Sequence, residues 1–232
     1  MKLKIKTIIA ALAMLSCQLF EATHLIGGHL TYVLVSSTAT TVTYNIRLRL
    51  IADQSGIGLG TTESVNLNAT NGTFAATPQL QRYMSVYSIS SGCETAYAAD
   101  YRADVTVPKD KNIKITYHTC CRPSSYTSMV NASVQQLYLD AMIMGTPSNP
   151  RGFDNGVNPL ATALHSSVVG MSSYIPFQWS EPDGDSVNVT VIPSRGYDAP
   201  SSSVVNVSYA SGYTWNQPVP NNGGADSLTL DY

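Results

Sequence analysis

From Val42 to Leu50 the chain alternates without interruption: Val42, Tyr44, Ile46, Leu48 and Leu50 are apolar, and Thr43, Asn45, Arg47 and Arg49 between them are polar. Successive side chains of an extended strand point to opposite faces, so this period of two predicts a strand with one face in a core and the other in water. The same period returns at Val105 and Val107, at Ile113, Ile115 and Tyr117, at Val187, Val189 and Val191, and at Val205, Val207 and Tyr209. Clusters of turn-forming residues separate these runs: "DQSGIGLG", "NATNGT", "PKDKN", "EPDGDS" and "PNNGG". Short alternating runs between such clusters predict an all-β chain of sandwich or barrel type. Only residues 124–143 leave room for a helical turn, and the alternation of Leu137, Leu139, Ala141 and Ile143 makes the second half of that stretch a strand.

The periodicity lapses in "GTPSNPRGFDNGVNP", Gly145 to Pro159, where Pro, Gly and Asn collect. Residues 147–159 are therefore the predicted linker between a first β-sandwich domain at 23–146 and a second β domain at 160–232. The second pattern stops at "LTLDY", a strand or two short of a usual sandwich, so an incomplete domain is expected there.

Ahead of the strands stand Lys2, Lys4 and Lys6, an apolar run from Ile8 to Leu15, and Phe20-Glu21-Ala22 ending on a small residue. That order predicts a signal peptide over residues 1–22, removed after Ala22, and hence an exported protein at the outer cell surface or beyond. Acylation of Cys17 is the alternative fate of the same leader. The apolar run is too short for a membrane anchor, and no other segment has the length of a transmembrane helix.

Composition narrows the function classes. Of 232 residues 44 % are hydrophobic, enough for a real core, while 12 % are charged and the formal net charge is -2. No stripe of Lys and Arg runs along the sequence, which argues against a nucleic-acid partner. The run "SGIGLG" lacks the Lys-Ser/Thr ending of a phosphate loop. Neither a nucleophile elbow nor a zinc-protease motif is present, and His24, His29, His118 and His165 have no metal-ligand spacing. A non-catalytic surface module of adhesive or structural type is the expectation. The 14 tyrosines keep a carbohydrate-binding accessory module of a secreted enzyme as the alternative.

Two local motifs carry chemistry. "EPDGDS" sets Glu181, Asp183 and Asp185 at alternate positions around Gly184. Hard carboxylate oxygens in a tight turn suit calcium, and the same loop also reads as a hairpin turn with solvated charges. "YHTCCRP" sets Cys120 beside Cys121, with Cys93 the one other cysteine beyond the leader. Neighbours on a strand face opposite sides, so such a pair has room for two different partners. A ring between the two, or a nucleophilic cysteine beside His118, are the other readings.

Taken in order, "ATHLIGGHLTYVL", "YNIRLRLIADQ", "SGCETAY", "YHTCCRP" and "EPDGDSVNVTV" resemble the N-terminal region of large Bacteroidota surface proteins, the gliding-motility-associated or type IX-sorted exoproteins. The resemblance implies tandem immunoglobulin-like β-sandwich domains, a role in adhesion or gliding motility, and a surface polysaccharide or protein as partner. It also implies a disulfide from Cys93 to Cys120 or Cys121 with one thiol left over, because Gln54 stands where relatives carry the further cysteine. His29 and Pro123 also depart from the family pattern. The acidic turn is similar to the calcium-binding turns of cadherin-like repeats.

Overall fold

The computed structural model describes residues 24–54, 58–91, 94–160, 178–198 and 200–216, and strands joined by turns and irregular segments make up nearly all of their regular structure. The predicted leader, Cys93 and His165 lie outside them. One 3-10 turn, Ala132–Val134, is the only helical element among the described residues.

Strands β1 (Leu25–Ser37) and β2 (Thr41–Asp53) form a long antiparallel pair. The chain then runs through the short β3 (Thr62–Ser64), β4 (Asn66–Ala69), β5 (Ala75–Ala76), β6 (Gln79–Arg82) and β7 (Tyr87–Ser91). It returns in the long β8 (Glu94–Pro108), followed by β9 (Ile113–Thr119) and β10 (Leu137–Ile143). One sheet has the order β1-β2-β8-β6-β3, with β7 also on β8, and the other has the order β10-β9-β4-β5. All pairings are antiparallel.

The two sheets close over one core, and the period-two residues supply it. Val42, Tyr44, Ile46, Leu48 and Leu50 of β2 face Leu67, Ile113, Ile115 and Tyr117 of the other sheet, all of them buried. Leu137 and Ile143, at the two ends of the edge strand β10, add to the core. Four core tyrosines carry their hydroxyls to a partner. Tyr32 donates to the Met142 carbonyl at 2.7 Å, Tyr101 to the Gly60 carbonyl at 2.9 Å and Tyr117 to Glu63 at 3.1 Å, and the Tyr44 oxygen accepts from the Asp154 N–H at 3.2 Å. Such rings bring large apolar area inward while the polar tip stays satisfied, so much of the tyrosine content is structural.

Strand β1 has no clean alternation because both of its flanks are occupied. Gly27 and Gly28 follow an irregularity in register, and Gly28 lies so close to β2 that a Cβ there would run into the Arg49 carbonyl oxygen. Along its free edge the segment predicted as a linker is docked. The Gly156 N–H donates to the Tyr32 carbonyl at 2.8 Å, Thr31 Oγ1 donates to the Val157 carbonyl at 2.9 Å, and the Leu34 N–H donates to Asn155 Oδ1 at 2.6 Å. Phe153 packs against the core. An open sheet edge is a template for unwanted strand pairing, and residues 153–157 cover this one.

Beyond the sandwich, β11 (Asn158–Pro159) pairs with β12 (Trp179–Ser180), and β13 (Arg195–Asp198) with β14 (Ser203–Asn206). Two strand expectations are corrected here. Val187, Val189 and Val191 are half-buried in alternation, but they lie in no strand, since no ladder partner stands beside them among the described residues. β14 ends at Asn206, where Val205 is exposed and Val207 buried. The chain changes course there: the Val207 N–H donates to the Ser194 carbonyl, and the Met129–Tyr209 bridge follows.

The glycine pair offers a direct check on the close approach of β1 and β2. Gly28→Ala should destabilise by about 1–3 kcal/mol, the range for forcing atoms into a packed site. Gly27→Ala, which meets nothing within 4 Å, should be near neutral. Denaturant unfolding of both variants measures this, and equal effects would contradict the packing.

Candidate functional site

The acidic turn is built by its own backbone. Gly184 has φ 76, a left-handed conformation that residues with a Cβ resist, and it reverses the chain so that Glu181 reaches across. Its carboxylate accepts the N–H of Asp183 at 3.1 Å and that of Asp185 at 2.6 Å. Asp183 in turn accepts the Asn155 backbone N–H at 2.6 Å and the Asn155 side-chain amide at 2.9 Å. Because Asn155 Oδ1 also accepts from Leu34 N–H, one carboxamide joins the turn to the edge of β1.

This docking brings a fourth carboxylate. Asp154, Glu181, Asp183 and Asp185 each place a carboxylate oxygen within 4.8 Å of the others. Burial pushes the Asp154 carboxyl up to about 6, helped by its hydrogen bond to Asp183 and by the charges of Asp183, Asp185 and Glu181. Burial also raises Asp183, but the bonds donated by Asn155 and Asp154 and the charge of Arg151 outweigh it and hold that carboxyl below its ordinary value. The Arg151–Asp185 pair at 3.5 Å joins two half-exposed side chains, a geometry that contributes little. Four converging hard oxygens are a donor set for a divalent cation, calcium above all. The residues fit: Glu181 and Asp183 are fixed by backbone donors, and a cation would relieve the repulsion among the carboxylates.

Glu181, Asp183 and Asp185 are thus brought together as their spacing suggests. Asp154 is the member that spacing misses. It lies in "GFDNGVNP", and only the docking of that segment on β1 carries it to the turn.

The sulfurs of Cys120 and Cys121 lie against each other, the two residues joined by a cis peptide, and the expected link from Cys93 to one of them falls outside the described residues, as Cys93 does. β9 stops at Thr119, so the pair stands beyond the strand rather than on it. The motif around them is a junction. The Cys121 carbonyl accepts from Leu25 N–H at 3.1 Å, the Arg122 N–H donates to the Gln135 carbonyl at 3.1 Å, and the buried Arg122 guanidinium donates to the Arg195 carbonyl at 3.1 Å. His118 stacks on Tyr197 at 3.8 Å between ring centroids, which ties β9 to β13.

A second polar locus lies on the water-facing side of the larger sheet. His29 stands opposite Arg49 in the β1–β2 ladder, and Arg49 opposite Asp100 in the β2–β8 ladder. Arg49 grips Asp100 with two bonds, 2.6 and 3.1 Å, and Tyr87 adds a third at 2.9 Å. The Asp100 carboxyl is raised by burial but held below its ordinary value by the Arg49 and Tyr87 bonds. Burial, and next the charge of Arg49, lower the His29 imidazole from 6.5 to about 4, against a smaller opposing pull from Asp100.

Compared with family models, with curated proteins and with solved structures, the chain matches none. No helix among the described residues is long and apolar enough to cross a membrane.

The His29 shift has a defined sign. Between 6.5 and about 4 the unfolded chain binds a proton that the folded chain does not, so stability present above 6.5 is lost as pH falls toward 4. The loss reaches about 3 kcal/mol by pH 4, at about 1.4 kcal/mol for each pKa unit. In His29→Gln that component should vanish. The stability of the parent relative to the variant should therefore drop on acidification from pH 7 to 4, as read by denaturant unfolding, and a pH-independent difference would contradict the burial of a neutral imidazole.

Proposed function

We propose that this chain is the exported, non-catalytic N-terminal part of a cell-surface protein of adhesive or structural type, as its resemblance to gliding-motility-associated exoproteins implies. The observation that carries the reading is the tie from the acidic turn through Asn155 to the edge strand. It fastens the segment after the sandwich onto the sandwich, as a module that transmits load along a surface protein needs. The order β1-β2-β8-β6 against β10-β9-β4 supports an immunoglobulin-like sandwich, since it is the arrangement of strands A, B, E and D against G, F and C. Calcium at Asp154, Glu181, Asp183 and Asp185 would stiffen this joint and make it responsive to the external medium.

Cell fractionation with N-terminal sequencing tests the placement. A mature chain starting after Ala22, recovered from the cell surface or medium, is expected. An intact Met1 in the cytoplasmic fraction would overturn the reading.

Thermal melts of the mature chain test the cation. A ligand bound only by the folded state stabilises it by RT ln(1 + [L]/Kd), so calcium at about a hundred times Kd should add about 2.7 kcal/mol. Asp154→Asn combined with Asp183→Asn should keep the fold and lose the shift. Melts indifferent to calcium and to chelator would leave a turn held by its hydrogen bonds alone.

A further inference from the structure

The middle rung of the β2–β8 ladder sets Arg47 directly opposite Arg102. Like charges directly opposed across a sheet destabilise it, and the neighbouring carboxylates are engaged elsewhere. Asp100 is gripped by Arg49 and Tyr87, and Asp104 accepts from the Asn45 amide at 2.6 Å. Arg47 Nε donates to Asn45 Oδ1 at 3.0 Å, and the Arg102 guanidinium lies over the Tyr83 ring at 3.3 Å from its centroid. Among the described residues neither arginine forms an ion pair. The acids in the remaining stretches of the sequence are Glu21, Asp226 and Asp231, the first within the predicted leader.

Both arginines are exposed and line a groove of about 460 Å³. Arg49, Asp100 and Tyr83 also line it, together with Pro159 and Leu160 from the segment that follows the docked residues. Tyr83 is 54 % exposed, with the Arg102 guanidinium covering one face of its ring.

We propose that this groove binds a carboxylated polysaccharide, one uronate carboxylate lying between Arg47 and Arg102 and a sugar ring against Tyr83. Two guanidinium forks on one rung present planar donors suited to a carboxylate, with charge assistance on each bond. Asp100, held in place by Arg49, faces the same groove as an acceptor for sugar hydroxyls. It also opposes a continuous phosphate backbone, as does a formal net charge of -2. The choice of ligand rests on the surface-module reading, but the groove can be assayed apart from it.

The mature chain is titrated calorimetrically with an oligogalacturonate, its methyl-esterified form, a neutral dextran oligomer and a single-stranded DNA oligonucleotide. Binding of the free oligogalacturonate alone is expected, weakening with salt. Arg47→Gln and Arg102→Gln should each weaken it at least about tenfold, the size of one lost charge-assisted hydrogen bond. Both variants should keep the parent's circular dichroism and melt close to the parent, because each loses a repulsion together with one contact, Arg47 that to Asn45 and Arg102 that to Tyr83. The proposal is overturned if the oligogalacturonate does not bind, if the esterified or neutral sugar binds equally well, if DNA binds as tightly, or if the folded variants bind like the parent. A chain that binds the sugar but is recovered from the cytoplasm would uphold the groove and defeat the surface reading.

Discussion

β2 pairs with β8 along its whole length, from Thr41 against Pro108 to Asp53 against Ala96, and this register decides where every other group stands. With a side-chain period of two, a slip of one residue would turn Ile46 and Leu48 to water and Arg47 and Arg49 into the core. Burial of Tyr44, Ile46, Leu48 and Leu50 at 1 % exposure or less sets the penalty for such a slip at several kcal/mol, at roughly 1.5–3 kcal/mol for each large apolar side chain. The same register composes the outer face as rungs: Thr43 with Thr106, Asn45 with Asp104, Arg47 with Arg102, Arg49 with Asp100. Core and outer chemistry are two readings of one pairing.

β1 lies at the open side of this pair, and the molecule spends much of its later sequence closing it. Residues 153–157 supply backbone and side-chain partners to Thr31, Tyr32 and Leu34, and the Cys121 carbonyl of the "CCRP" motif holds Leu25. The acidic turn then locks the covering segment through Asn155. The acidic turn and the edge cover meet on one asparagine: its backbone and side-chain N–H groups donate to Asp183 and its side-chain oxygen accepts from the strand. Removing the turn would leave Asn155 to water and weaken the cover on β1.

The parts legible in the sequence are those where one face is dry and the other wet. β2 from Val42 to Leu50 and β9 follow their alternation, because a sandwich core lies on one side and solvent on the other, while in β10 Tyr138 is buried beside Leu137. β1 escapes the pattern, since the docked segment buries Thr31 beside Tyr32 and glycines occupy the close approach to β2. Val187, Val189 and Val191 alternate as a strand would, but a strand also needs a ladder partner, which periodicity does not report. Of the acidic site, Glu181, Asp183 and Asp185 were legible because their backbone alone assembles them, whereas Asp154 arrives through a tertiary contact that local spacing cannot encode. The Arg47–Arg102 rung was hidden for the same reason: two isolated arginines become a pair only through register.

The central claim is that the acidic turn is fastened to the edge strand through Asn155. A double-mutant cycle of Asn155→Ala and Asp183→Ala, with stability measured by denaturant unfolding in the presence of chelator, tests it most directly. The backbone N–H of residue 155 survives the substitution, so the cycle isolates the one bond from the Asn155 side-chain amide to the Asp183 carboxylate, and a hydrogen bond to a charged group predicts a coupling energy of about 1.5–3 kcal/mol. Strict additivity of the two substitutions would contradict the account.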